Sequence, residues 1–409
     1  MTLSSLRKNG LEYIILLVFF CFSIAIFNLP GPIFCMMLGC LLLFFASKIE
    51  IGFIDILLFL FSISYGYFYF MHFPFAFNEL ILYVIGPWVA YLIGKTYVFI
   101  SNRKHSFIIL TIILSLGMFL HGLLNIYAYI NSEHYATYEY YRISVDFWRN
   151  ETVNVKSTEM LFVMATGVGL GVLFSSTKLC YKIYALATIV ISLAVTAFLA
   201  NRTLIVVFVI IFAWRWVYWF LNRSVSLIKK LLALIGIPII VFSFIAMIES
   251  NLFGLKDFFN SLKIIKRFTS DSEGARSNVW SVFFENSNFM KYPWGGKFIT
   301  EGTEYSYLHN TWLDVYNVAG VIPFLLFLIL TVVCLIQFLK HKTILNRYNK
   351  AAEATIMQSL MIAVALNMMV EPILESNPYY FIAFLMILGA CKGYTKRIVS
   401  EAKCFSSTK

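Results

Sequence analysis

Three residues outside the apolar stretches of this chain have the types needed to move a group off a phosphate: Arg202, Arg276 and His309. A guanidinium fork matches phosphate oxygens bidentately and keeps its charge at any physiological pH. Arg202 stands in Ala200-Asn201-Arg202-Thr203, a tight turn between two apolar stretches. It reads as an anion clamp, with a solvated turn or a lipid-headgroup contact as the alternative. Arg276 lies in Asp271-Ser272-Glu273-Gly274-Ala275-Arg276-Ser277, where a helix is predicted to begin. Free N–H groups and a partial positive charge at a helix start favour phosphate, and Gly274 would let the backbone approach. The alternative pairs Arg276 with Glu273 or Asp271. His309 precedes Asn310-Thr311-Trp312-Leu313-Asp314, which reads as a helix start with Asn310 as N-cap. There the imidazolium is disfavoured, so the ring stays neutral and able to take a proton. An interfacial polar histidine is the competing reading. Taken together, two arginines and a histidine suggest base-assisted transfer onto a hydroxyl, away from a phosphate leaving group.

Other chemistries lack their residues. The sequence has no CxxC or metal-ligand spacing, no Ser-His-Asp spacing, no Walker loop and no GxGxxG strand–helix unit. Phosphate neutralisation therefore falls to arginine, and no metal or cofactor is implied. Arg142 and Arg149 add cationic groups to a segment crowded with Tyr127, Tyr129, Tyr135, Tyr138, Tyr140, Tyr141, Phe147 and Trp148. Such rings suit sugar stacking, although a membrane-interface belt is the commoner cause.

The elements that must position these groups follow from composition. Of 409 residues, 60% are hydrophobic and 13% charged, and the mean hydropathy is +0.80. A soluble globular chain carries about a quarter charged residues, so a polytopic membrane protein is expected, all-α in class. Twelve apolar stretches can be read: Leu11–Phe27, Pro32–Ala46, Gly52–Phe70, Leu80–Gly94, Phe107–Leu124, Glu159–Phe174, Ile183–Leu199, Thr203–Leu221, Leu231–Ile248, Val315–Leu339, Ala354–Val370 and Pro378–Cys391. They form one transmembrane domain over residues 1–409, with long connections at 125–158 and 250–314. Connections of that length are usually functional or disordered. Helix-like runs at Phe258–Phe268 and Asn278–Phe289, with a turn at Pro293-Trp294-Gly295-Gly296, favour order in the second.

Lysine and arginine set the orientation. With the N-terminus inside, Lys48, Lys95, Arg103, Lys104, Lys178, Lys182, Arg223, Lys229, Lys230 and Lys340–Lys350 fall on the cytoplasmic side, as does the basic C-terminal tail. This positive-inside pattern explains most of the net charge of +11 without a nucleic-acid partner. Both termini are expected in the cytoplasm and both long connections outside. All seven cysteines then lie in spans or inside, so no outer disulfide framework is expected. Within the spans, Asp55 and Arg215 are the conspicuous charges. Asp55 lies near a span end and Arg215 among tryptophans, which is poor material for a coupled transporter.

The residues stand in an order that resembles the O-antigen polymerase and O-antigen ligase family, integral membrane glycosyltransferases of the GT-C type. The resemblance rests on Ala200-Asn201-Arg202-Thr203, Gly274-Ala275-Arg276, Tyr292-Pro293-Trp294-Gly295-Gly296 and His309-Asn310-Thr311-Trp312-Leu313-Asp314, with Gly320 beyond. Arg142-Ile143-Ser144-Val145-Asp146-Phe147-Trp148 also resembles a first-loop segment of the polymerases. The resemblance implies metal-independent, inverting transfer of a glycan from undecaprenyl pyrophosphate, at the periplasmic face of the bacterial inner membrane. Arg202 and Arg276 would hold the pyrophosphate and His309 would act near the acceptor hydroxyl, with Arg142 and Asn310 in support. A polymerase uses a second lipid-linked repeat unit as acceptor; a ligase uses lipid A-core. The first-loop segment favours the polymerase, for which membrane lipids and a chain-length regulator are the further partners. A lipid-linked oligosaccharide flippase is the non-enzymatic alternative; it needs a cationic central cavity open to both sides.

Overall fold

The computed structural model describes residues 3–28, 30–45, 49–101, 103–133, 143–175, 177–199, 202–221, 226–261, 280–285, 291–301 and 307–407. Helices α1 (Leu3–Ser23), α2 (Pro30–Phe45), α3 (Phe53–His72), α4 (Phe77–Ile100) and α5 (Ser106–Ile130) form the first half. A hairpin of β1 (Ile143–Asp146) and β2 (Glu151–Asn154) follows. Next come α6 (Val155–Leu173), α7 (Leu179–Leu199), α8 (Thr203–Leu221), α9 (Leu227–Glu249) and α10 (Leu255–Ser261). The last elements are α11 (Thr311–Ala319), α12 (Val321–Arg347), α13 (Ala351–Val370), the single turn α14 (Ile373–Ser376) and α15 (Pro378–Ser407).

Within the described residues, the twelve expected stretches fall mainly on helices, the first running past the end of α1 at Ser23. Among the described residues, eight helices are long and apolar enough to cross a membrane, which makes this a helical polytopic membrane protein. Charge shortens two of the others. In α1 the apolar run is only Glu12–Ser23, after Arg7 and Lys8. In α15 the basic half begins at Lys392, leaving an apolar part of about 20 Å at 1.5 Å per residue. The tenth stretch departs from expectation. Val315–Leu339 is not one helix: Gly320, at φ 84°, separates α11 from α12. The first long connection is shorter than expected, because α5 runs on to Ile130 and α6 starts at Val155.

Packing decides which helix is central. In α6, 94% of the spanning window is buried, against 22% in α8 and in α12, which face outward. α5, α7, α8 and α13 surround α6. The approach to α13 is close because Gly171 has no side chain; a Cβ there would stand 2.6 Å from the Ile356 Cα. α4 and α15 meet the same way, since a Cβ on Gly94 would lie 1.8 Å from the Met386 carbonyl oxygen. Inside α4, Leu80–Ile85 is a π-helical turn in which the Gly86 N–H donates to the Ile81 carbonyl. Pro87 just beyond lacks an N–H, and the wider turn is a common device where side chains must be re-aimed.

The buried charge of Arg215 is absorbed structurally. Its guanidinium donates to Gln358 Oε1 (3.0 Å), Ser359 Oγ (3.0 Å) and the Thr355 carbonyl (2.5 Å), tying α8 to α13. Asp55 accepts the Gly52 N–H at 2.7 Å at the start of α3 and pairs with Lys95.

Candidate functional site

Described parts of the connections expected on the outer side meet at one end of the bundle, where Lys156 contacts His309 and Glu371 and the His72 ring lies 3.2 Å from the Trp294 carbonyl. The site is built on the first turns of α6. Asn154 caps that helix by accepting the Lys156 N–H at 3.0 Å. The hairpin before it is fastened through buried polar groups. Asn125 of α5 accepts the Phe147 N–H (2.9 Å) and donates to Thr158 Oγ1 (3.3 Å), which donates to Ser144 Oγ (3.0 Å). The Trp148 indole donates to the Ile24 carbonyl beyond α1 at 2.8 Å.

Covered in this way, Lys156 is only 7% exposed, and it faces Glu371, which is 1% exposed. Their ion pair is 3.0 Å long. His309 completes the group: its Nδ1 lies 3.0 Å from Lys156 Nζ and 3.7 Å from Glu371 Oε2. An ammonium has hydrogens only to give, so Nδ1 accepts from Lys156. In the neutral ring the proton then sits on Nε2, which is left as a donor. For Nε2 to act as a base, the ring proton must move to Nδ1, and Glu371 is the group placed to receive that bond.

His309 is held in place by its neighbours. At φ 53° it occupies the left-handed region, uncommon for a non-glycine residue. Asn310 caps α11 by accepting the Trp312 and Leu313 N–H groups at 3.1 and 3.2 Å, and donates to the Met369 carbonyl. Thr311 Oγ1 donates to the Glu371 carbonyl at 2.7 Å. Asp314 reaches back to accept the Leu308 N–H (2.8 Å) and the Asn310 N–H (3.2 Å), one on each side of His309. The Pro293–Gly296 turn seals the far end of α11. The Gly296 N–H donates to the Val318 carbonyl and the Val321 N–H to the Pro293 carbonyl, both at 2.9 Å. A Cβ on Gly295 would stand 2.4 Å from the Val318 carbonyl oxygen, and Gly295 has φ 82°, so this turn requires glycine.

Burial pushes the Asp314 carboxyl up from 3.8 to about 7; Glu375 adds to the rise, while the two N–H donors and Lys297 oppose it. The folded state therefore holds this proton more tightly than the unfolded chain does, and stability falls as pH rises from about 4 to 7. The difference is on the order of a few kcal/mol. Asp314→Asn is expected to flatten that part of the profile, besides a constant loss from the second accepted hydrogen bond. Thermal unfolding in detergent between pH 4 and pH 8 checks this, and an unchanged slope in the variant would rule out Asp314 as its source.

A polar cavity of about 610 Å³ opens at the same end of the bundle. It shares the start of α6 with the Lys156 group, because Ser157 lines it and the Ser157 carbonyl accepts from Asn377 Nδ2 at 3.2 Å. Four carboxylates line it (Glu79, Asp146, Glu151 and Glu375) against one arginine, Arg149. Burial alone would raise the Asp146 carboxyl, but His121 and the Arg149 backbone and charge hold it below the usual range. Burial raises Glu375 despite its ion pair with Lys297. The cavity therefore offers carboxylates and amides to hydroxyl groups.

Arg202 begins α8: its carbonyl accepts the Val206 N–H, and the Leu204 N–H donates to Glu159 Oε1 at 2.9 Å. Glu159 lies one turn beyond Lys156, so the Arg202 turn and His309 are both fixed to the start of α6. Arg276 and Arg142 lie outside the described residues. Sequence reasoning missed Lys156, Glu159, Glu371 and the His121–Asp146 pair. Lys156 and Glu159, three apart at the head of an otherwise apolar helix, were the available signal.

These features define a helical, multi-pass membrane protein in which a Lys156–Glu371–His309 group and a carboxylate-lined cavity share the start of α6. Comparison with protein-family models and with curated protein sequences finds no match.

Proposed function

We propose that the chain is an O-antigen-type surface-polysaccharide polymerase. It transfers a glycan from undecaprenyl pyrophosphate onto a sugar hydroxyl of another lipid-linked repeat unit, without metal and with inversion at the anomeric carbon. In this reading the twelve helices form a GT-C-like bundle in the bacterial inner membrane, both termini are cytoplasmic, and the end bearing His309 faces the periplasm.

The observation that carries the reading is the adjacency at the start of α6. There Lys156 meets Glu371 and His309, Glu159 holds the start of α8 just after Arg202, and Ser157, the residue after Lys156, lines a cavity of carboxylates and amides. In this reading the pyrophosphate is drawn to Arg202 and the Nε2–H of His309, and the hydroxyl-rich glycan occupies the cavity. Arg276 joins the pyrophosphate side by the sequence resemblance alone. Displacement needs no covalent sugar–enzyme intermediate: the acceptor oxygen bonds to the anomeric carbon as the bond to the pyrophosphate oxygen breaks. The acceptor proton is taken up by His309, or by a carboxylate of the cavity if His309 keeps Nε2–H. The nearly complete burial of α6 fills the bundle centre, where a flippase needs a passage.

The decisive assay gives purified protein a lipid-linked repeat unit, with and without lipid A-core. Polymer formed without lipid A-core is the expected result. Product formed only with lipid A-core would identify a ligase. Movement of the lipid-linked unit between leaflets with no new glycosidic bond would refute transferase activity.

A further inference from the structure

The end of the bundle opposite His309 contains a second cavity, of about 220 Å³, where the start of α3 meets α4, α12 and α15. Its charged lining comprises Glu50, Asp55, Lys95, Lys392 and Lys396. Both acids are engaged: Asp55 with Lys95, and Glu50 with Lys396. Lys95 also donates to the Glu50 carbonyl at 2.6 Å. Lys392 is different. It lines the cavity, is partly buried, and makes no hydrogen bond or ion pair among the described residues. Lys95, Lys340 and Lys396 act on it as like charges, opposed by Asp55. A partly desolvated ammonium among other ammonium groups is unfavourable unless an anion joins it.

The rim indicates the source of that anion. Ile51 is 72% exposed and Phe53 is 67% exposed, and both line the cavity. On α12, Ile336, next to the lining Gln337, is exposed as well. Cationic groups where α3 begins and the apolar half of α15 gives way to its basic half, beside exposed apolar side chains, match a phosphate at headgroup level with acyl chains below it. We propose that this cavity binds the phosphodiester headgroup of an anionic phospholipid, with Lys392 as its principal ligand and Lys95 and Lys396 flanking. The acyl chains lie against Ile51, Phe53 and α12. The inference is independent of the proposed enzymatic function.

Full-length protein in neutral detergent is titrated with phosphatidylglycerol, with phosphatidylcholine of the same chains, and separately with inorganic phosphate. Bound lipid is read by native mass spectrometry and stabilisation by thermal unfolding. Wild-type protein is expected to retain phosphatidylglycerol preferentially and to be stabilised by it alone. Lys392→Gln should weaken that preference roughly fivefold, the order expected for one lysine at an anionic surface. Lys403→Gln, farther along α15, should leave it intact. Equal retention of both lipids, or undiminished preference in Lys392→Gln, would overturn the proposal. Equal stabilisation by inorganic phosphate would overturn the lipid source and assign the site to a soluble anion.

Discussion

Replacing His309 with alanine is expected to depress turnover by roughly 10²–10⁴-fold, the range over which positioned acid–base groups contribute. The fold should survive, because the Lys156–Glu371 pair stands at 3.0 Å without the imidazole and Asn310 caps α11 independently. Normal turnover in a correctly inserted His309→Ala protein would remove His309 from the mechanism. The geometry makes a second variant more informative than the first. With Lys156 donating to Nδ1, neutral His309 presents Nε2–H, a group that stabilises an oxyanion but accepts nothing. Glutamine at 309 can donate from a similar position and cannot serve as a base. If His309 binds the departing pyrophosphate, His309→Gln keeps much of the activity and His309→Ala loses donor affinity. If His309 removes the acceptor proton, both variants fail alike while donor binding is preserved. Lys156→Met then gives the opposite control: Nδ1–H is free to turn to Glu371, 3.7 Å away, and the base form of the ring is favoured.

Low charge over long stretches was enough to place the helices, because lipid-facing sides must be apolar and backbone groups must be satisfied internally. The finer breaks were less legible. Gly320 divides α11 from α12 within a run that is apolar on both sides, so hydropathy alone shows one helix. The β1–β2 hairpin was hidden among aromatic residues whose composition reads equally well as an interface belt. At the site, the local pieces were visible: the Asn310 cap, the Pro293–Gly296 turn and the Arg202 turn each depend on neighbours in sequence. The partners of His309 were not visible. Lys156 is 153 positions away, and although its spacing from Glu159 marks the head of an apolar helix, nothing local points it to His309 until the hairpin and the turn at Glu371 bury it. Contacts of that kind arise from tertiary packing, which short motifs do not encode.

Arg202→Ala is expected to cost about 2–5 kcal/mol in transition-state stabilisation, the usual cost of truncating one partner of a desolvated charge pair. That corresponds to roughly 30- to 4,000-fold in kcat/KM. At the start of α8 the Arg202 carbonyl accepts the Val206 N–H and Glu159 accepts the Leu204 N–H at 2.9 Å, so thermal unfolding of Arg202→Ala must be read beside its turnover. Arg202→Lys keeps the charge and loses the planar fork, so partial activity is the most it should retain. The loss should appear as weaker binding of the lipid pyrophosphate together with slower transfer, since negative charge builds on the leaving oxygen during displacement. A purely structural arginine would behave differently. Its removal would lower the unfolding temperature, and Glu159→Gln, which discharges the acidic partner at the same turn, would do equal damage. An Arg202→Ala protein that inserts normally and still makes full-length polymer would end the clamp assignment, and a defect matched by Glu159→Gln would make Arg202 a fold residue.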